Sequence, residues 1–157
     1  CSRDWSSDVC SSDLHAGFPV KQELVTYLRA RGHEVLDLGT HSLDPVDYPD
    51  CAESAAAAVL DGRAERAVVV CGSGAGVSIA ANKIPGIRAA VCHDCYTAHQ
   101  AVEHDDLNVL CVGGRVVGIN VAQELVDAFV GARFSGEPRH QRRLDKVLAI
   151  EARHLAR

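Results

Sequence analysis

Val68-Val69-Val70-Cys71-Gly72-Ser73-Gly74-Ala75-Gly76-Val77-Ser78-Ile79-Ala80-Ala81-Asn82-Lys83 is the stretch whose reading decides the fold. It opens on an unbroken β-branched run, the pattern of a parallel strand covered on both faces. Gly72, Gly74 and Gly76 follow, where the lack of a Cβ lets main-chain N–H groups approach a ligand closely. A helix is expected from about Val77, its unpaired N–H groups and positive dipole end aimed back at the turn, which suits an anion. Cys71 stands at the junction, a nucleophile or base beside an anion-binding nest. The same order also serves merely to pack a helix on a sheet, and the stretch alone leaves both readings open. It does not spell a nucleotide motif: G-x-G-x-x-G needs glycine where Val77 stands, and no G-x-x-x-x-G-K-[ST] occurs.

Working outward, further strands and helices alternate. Upstream, Val20, Leu24, Tyr27 and Leu28 recur at helical spacing until Gly32, and residues 35–38 read as a strand. A loop at 40–49 ends with Asp47 and Tyr48, and Asp50 is placed to cap a helix carrying Ala52, Ala55, Ala56, Val59 and Leu60. Downstream, residues 87–92 (IRAAVC) predict a strand and residues 96–103 a short helix, with His104 just past its end. Residues 108–112 (NVLCV) predict a strand closed by Gly113-Gly114, with Arg115 next. Val121, Leu125, Val126 and Phe129 mark a helix, and Arg139-His140-Gln141-Arg142-Arg143 opens a last one. Such alternation gives a parallel sheet with helices on both faces, and its ligands sit at the carboxyl ends of the strands. His15, Tyr48, Cys71, the glycine loop and the segment after Cys92 all follow strand ends.

The chain has 157 residues, enough for one domain with a real core; its 47% apolar and 24% charged fractions are those of a globular protein. A net charge of −5 argues against a nucleic-acid partner, whose phosphates demand a basic surface. No apolar run is long enough to span a membrane. The seven cysteines do not form a disulfide framework, and an intracellular, reducing, cytoplasmic setting is expected. Cys92 and Cys95 form a C-x-x-C, but no second ligand pair stands at zinc spacing, so no metal is expected.

Residues 1–14 (CSRDWSSDVCSSDL) differ in character from the remainder of the chain. They are rich in Ser and Asp, lack either period, and hold the only Trp of a chain with no Met. They resemble translated adapter sequence, a non-native leader standing where a first strand is expected, with a single domain over 15–157.

Several motifs then occur in a recognisable order. They are His15-Ala16-Gly17, Asp47-Tyr48-Pro49-Asp50, Cys71-Gly72-Ser73-Gly74 with Ser78-Ile79-Ala80-Ala81-Asn82-Lys83, and Gly86-Ile87-Arg88-Ala89-Ala90. Cys92-His93-Asp94, Glu103-His104, Asn108-Val109-Leu110 and Arg139-His140-Gln141-Arg142-Arg143 complete the set. Together, from His15 to about Ile150, they resemble the type B ribose-5-phosphate isomerases, in the family that also holds galactose-6-phosphate isomerase subunits.

The resemblance implies an α/β fold: a three-layer α/β/α, Rossmann-like, doubly wound parallel sheet of about five strands, the first replaced by the leader. It implies a cofactor-free aldose–ketose isomerase of the pentose phosphate pathway acting through a cis-enediolate, and a homodimer or dimer of dimers with its site at the subunit interface. By the match, Cys71 is the general base, a suitable one because proton removal beside a carbonyl wants a pKa near working pH. Ser73 assists transfer between the substrate oxygens, and His104 helps open the furanose ring. Gly72, Gly74, Ala75 and Gly76 offer N–H groups to the enediolate oxygen, each donor worth about 3–4 kcal/mol in the transition state. His15, Arg139 and Arg143 hold the phosphate, with Arg115 contributed across the dimer interface, and Tyr48 lines the sugar pocket. Two departures stand out: Leu14 occupies the place of an aspartate that partners the ring-opening histidine, and Asp105 that of an asparagine near the sugar. An isomerase of another sugar phosphate (galactose 6-phosphate, allose 6-phosphate or a tetrose phosphate) and a non-catalytic phosphosugar-binding module remain open alternatives.

Overall fold

In a computed structural model, residues 6–11 are described as backbone, and residues 17–39 and 47–155 with their side chains. Five parallel strands form one sheet in the order β2-β1-β3-β5-β4: β1 Ser6–Ser11, β2 Glu34–Asp37, β3 Arg66–Cys71, β4 Ala89–Val91 and β5 Val109–Gly113. Between and after them run α1 Phe18–Ala30, α2 Tyr48–Leu60, α3 Ala75–Ala81, α4 Cys95–Asp105, α5 Ile119–Gly131 and α6 Pro138–Leu155. Strands β3 and β5 are buried throughout, as the valine run requires. Their side chains alternate between two cores. Val68, Val70, Leu110 and Val112 pack with α1, α4 and α5; Val69, Cys71, Val109 and Cys111 pack with α2 and α3. The expected three-layer, doubly wound architecture is what the chain adopts.

The place of the first strand is filled by residues 6–11, within the Ser- and Asp-rich stretch at 1–14. Ser6–Ser11 lies between β2 and β3, with Val9 opposite Asp37 on one side and Val68 on the other. An interior strand position leaves open ladder bonds on both sides, and those bonds draw in even a Ser-rich segment.

Several element boundaries differ from the sequence reading. Helix α2 starts at Tyr48 with Asp47 at its N-cap, so Asp50 sits inside the first turn rather than capping it. Helix α3 starts at Ala75, two residues before Val77, because Gly74 takes a left-handed φ of 83° and ends the turn early. Helix α4 runs to Asp105, which places His104 within its last turn; Asp106 then stops it at φ 54°. Strand β4 is only Ala89–Val91, because side chains take over its flanks: Asn108 Oδ1 accepts Arg88 N–H and Asn82 Oδ1 accepts Ala89 N–H.

Buried charge ties the helices down. Lys21, fully buried on α1, pairs with Asp37 at the end of β2 at 2.8 Å. Arg66, 7% exposed at the start of β3, donates to the carbonyls of Phe129 and Ala132 at the carboxyl end of α5 and lies against the Phe129 ring. Arg66→Ala strands two buried carbonyls, so chemical denaturation is expected to show a loss of about 3 kcal/mol; a loss within about 0.5 kcal/mol, the range of an ordinary surface change, contradicts this role.

Candidate active site

The parallel sheet places the end of β3 beside the end of β5, and the candidate site is built on that pair. Cys71 is opposite Gly113 in the ladder. Gly114 N–H donates to Cys71 O at 2.7 Å and Arg115 N–H to Gly72 O at 3.1 Å, which carries Arg115 over the glycine loop. Tyr48, Cys71, Gly72, Ser73, Gly76, Arg115 and Val116 line a cavity of about 360 Å³. Arg115 therefore shares a cavity with Cys71 of the same chain, which corrects the expectation that it reaches in from a partner.

The glycines of the loop do different jobs. Gly74 is required for its positive φ, and a Cβ there would also stand 3.1 Å from Val91. Gly76 is required for room: the Tyr48 ring lies on it, 3.2 Å from where a Cβ would be. Two loop N–H groups are engaged within the loop. Gly74 N–H donates to Cys71 Sγ at 3.0 Å and Ala75 N–H to Ser73 Oγ at 3.3 Å. Both side chains are thereby aimed by the backbone, the thiol at the floor of the cavity and the hydroxyl at its exposed rim.

His93 is a further contributor to which the sequence assigns no role. Its Nε2 accepts Gly113 N–H at 3.0 Å. The last β4-type bond is Cys92 N–H to Cys111 O, so beyond the short strand the imidazole takes the place of a ladder acceptor and braces the turn that bears Arg115. The signal in sequence is a histidine two residues past a three-residue strand. Asp94 beside it caps α4 by accepting Thr97 N–H, and that bond holds its carboxyl below the usual range.

The remaining expected site residues gather elsewhere. His104 and Asp105 close α4 at the amino edge of the sheet, near Arg88 and Asn108, whereas Cys71 is at the carboxyl edge. Along β5 the two edges are four steps apart, about 13 Å. Arg139 and His140 open α6, and the His140 ring stacks on His104 with centroids 4.0 Å apart. Arg143, one turn on, is exposed. Asp105 lines a second cavity of about 740 Å³ with Arg88, Leu107, Val147, Ile150 and Glu151, and none of this group lines the Cys71 cavity. His15, and Leu14 before it, lie outside the described residues.

Among the described residues no three or more His, Cys, Asp or Glu side chains converge as metal ligands, and no helix is long and apolar enough to cross a membrane. The five cysteines described with their side chains form no disulfide.

The family model described as Ribose/Galactose Isomerase matches residues 9–147. The chain belongs to this family. Ribose-5-phosphate isomerase B of Escherichia coli (strain K12) is 48% identical over 139 residues, 88% of this chain and 93% of that one. A solved structure of ribose-5-phosphate isomerase B from Clostridium thermocellum superposes with a TM-score of 0.90 at 45% identity, covering 95% of this chain and 99% of that one. D-erythrulose-4-phosphate isomerase 2 of Mycolicibacterium smegmatis is 39% identical over 140 residues, 87% of this chain and 92% of that one. As a ribose/galactose isomerase the chain is an enzyme, with the strand-end loop of its fold at the Cys71 cavity.

Among this isomerase's thiols, position separates Cys71 from two neighbours. Cys92 is 1% exposed, and burial together with the Asp94 charge pushes its thiol up to about 11. Cys111 is fully buried, and burial pushes its thiol up further. Cys71 lines the cavity. Brief treatment with iodoacetamide at pH 8, followed by peptide mapping, is expected to label Cys71 ahead of Cys92 and Cys111; equal labelling of the three contradicts this ordering.

Proposed function

We propose that the chain interconverts ribose 5-phosphate and ribulose 5-phosphate through a cis-enediolate. The observation that carries this reading is Cys71 Sγ at the cavity floor, held by the Gly74 N–H, with the rest of the glycine loop around it. Membership of the ribose/galactose isomerases, and the activity named for the relative at 48% identity, support the choice of substrate. The Cys71 thiolate takes the proton from C2 of the open-chain aldose, electrons move onto the carbonyl oxygen, and the thiol returns a proton to C1. Ser73, at the rim, passes a proton between O1 and O2. Loop N–H groups not engaged by Cys71 and Ser73 hold the developing oxygen, in the manner of an oxyanion hole. Tyr48 walls the sugar pocket.

The other half of the site comes from a second copy. His104 and Asp105 close α4 at the edge of the sheet opposite Cys71, about 13 Å away along β5, and Arg139 and Arg143 are on the helix whose His140 stacks on His104. A homodimer, alone or paired as a dimer of dimers, brings that edge of one subunit against the Cys71 edge of its partner. The exposed Val147 and Ile150 on α6, beside the 740 Å³ groove, are apolar area suited to such a contact. Arg139, Arg143, Arg115 and His15 then hold the phosphate, where arginine's planar fork fits a dianion. With Leu14 where the resemblance implies an aspartate, ring opening falls to His104. Thiols outside any disulfide fit a cytoplasmic, reducing setting.

A coupled assay is expected to show ribulose 5-phosphate formed from ribose 5-phosphate. Cys71→Ala should lower kcat by at least about 10³-fold, a base plus its alignment, while Cys92→Ala leaves it unchanged. Turnover of erythrulose 4-phosphate alone would move the substrate to the tetrose class. Binding of ribose 5-phosphate with no turnover would make the chain a binding module.

A further inference from the structure

We propose that His140, anchored by Ser135, is a positioning residue that fixes the ring plane of His104 for opening of the cyclic sugar. This rests on the isomerase reading above. His140 is 2% exposed on a helix whose other described residues, Leu144 apart, face outward or are only partly covered. An imidazole so placed costs free energy that a leucine would not, unless its nitrogens are occupied. Of the buried charged or polar side chains among the described residues, Lys21 and Arg66 hold structural partners, whereas His140 faces another imidazole. The two rings lie 4.0 Å apart at 30°, a stack that restrains rotation of the His104 ring.

The anchor reads in one direction. Glu137 N–H donates to Ser135 Oγ at 3.3 Å, so the hydroxyl's own hydrogen is available to His140 Nδ1, 2.6 Å away. Nδ1 is then the acceptor and the hydrogen of the neutral ring is on Nε2, an assignment from the hydrogen-bond pattern. Burial, together with the charges of His104, Arg139 and Arg143 and opposed by Glu137, pushes the His140 imidazole below its ordinary value. A neutral flat ring thus backs His104, whose Nε2 lies 3.7 Å from Glu103 Oε2. Ser135 N–H also donates to Glu103 O at 2.9 Å, so one serine ties the approach to α6 to the last turn of α4.

Opening a furanose breaks the C1–O4 bond and forms the C1 carbonyl; the O1 hydroxyl loses a proton and O4 gains one. An imidazole held in one plane accepts or supplies such a proton along a defined line, and a tilt of its ring is costly. The ketose product has no such step, because its 5-oxygen is esterified and cannot close a furanose.

That difference provides the test. The full chain is compared with His140→Ala, His140→Phe and Ser135→Ala in two measurements. One is turnover of ribose 5-phosphate; the other is exchange of the C1 hydrogen of ribulose 5-phosphate with D2O, followed by NMR. His140→Ala is expected to lower aldose turnover by about 10- to 100-fold while exchange stays within about 3-fold of the unaltered chain. His140→Phe, which keeps a flat neutral ring, should restore most of the turnover. Ser135→Ala, an exposed change that spares the fold, should show the same selective loss to a smaller degree. An equal fall in both measurements, or no fall in either, overturns the positioning role. Absence of both activities in the unaltered chain would instead overturn the isomerase reading beneath it.

Discussion

One constraint governs this molecule: all five strands run the same way. A parallel sheet gathers every strand end on one edge and every helix end on the other. Residues that follow strands, such as Cys71, the glycine loop, His93 and Arg115, are drawn together. Residues that end helices, such as His104 and Asp105, are sent about 13 Å away. The division of the candidate site into two groups is therefore a consequence of topology, and the proposal of a second copy rests on it.

At the carboxyl edge the detail is set by close approach. Gly113 would place a Cβ 2.9 Å from the Ser73 backbone, so only glycine there lets the turn after β5 lie against the loop after β3. Gly76 makes room for Tyr48, and Gly74 turns the chain into α3. His93 supplies the acceptor that the short β4 does not. The cavity is shaped by backbone contacts as much as by side chains, and its reactive groups, Cys71 Sγ and Ser73 Oγ, are each aimed by a main-chain N–H.

The fold was legible wherever apolar periodicity was strong. Val68 to Val70 announced a doubly covered strand, and the helical spacing of Leu24 and Leu28, or of Leu125 and Phe129, announced helices that pack on it. Boundaries failed where a single backbone angle or side-chain bond decides them, as at Gly74, Asp106 and the asparagines flanking β4. The strand formed by Ser6–Ser11 has no signature of its own; its place in the ladder is imposed by its neighbours. The Cys71 loop was legible because its parts are contiguous. The cis position of Arg115 was not, because spacing does not say which turn leans over which. Nor did sequence reveal the His140–His104 stack or its Ser135 anchor, which join segments that are near in space through the path of the α5–α6 connection.

In the proposed enzyme a working site takes Cys71 from one chain and His104 with Arg139 from another. Mixed refolding of Cys71→Ala with a His104→Ala/Arg139→Ala variant separates a shared site from a self-contained one. If sites are shared across a two-fold dimer, half of the dimers are hybrids with one intact site each, and about one quarter of normal isomerase activity returns. If each chain builds its own site, the mixture stays as inactive as its components, and the shared site is contradicted.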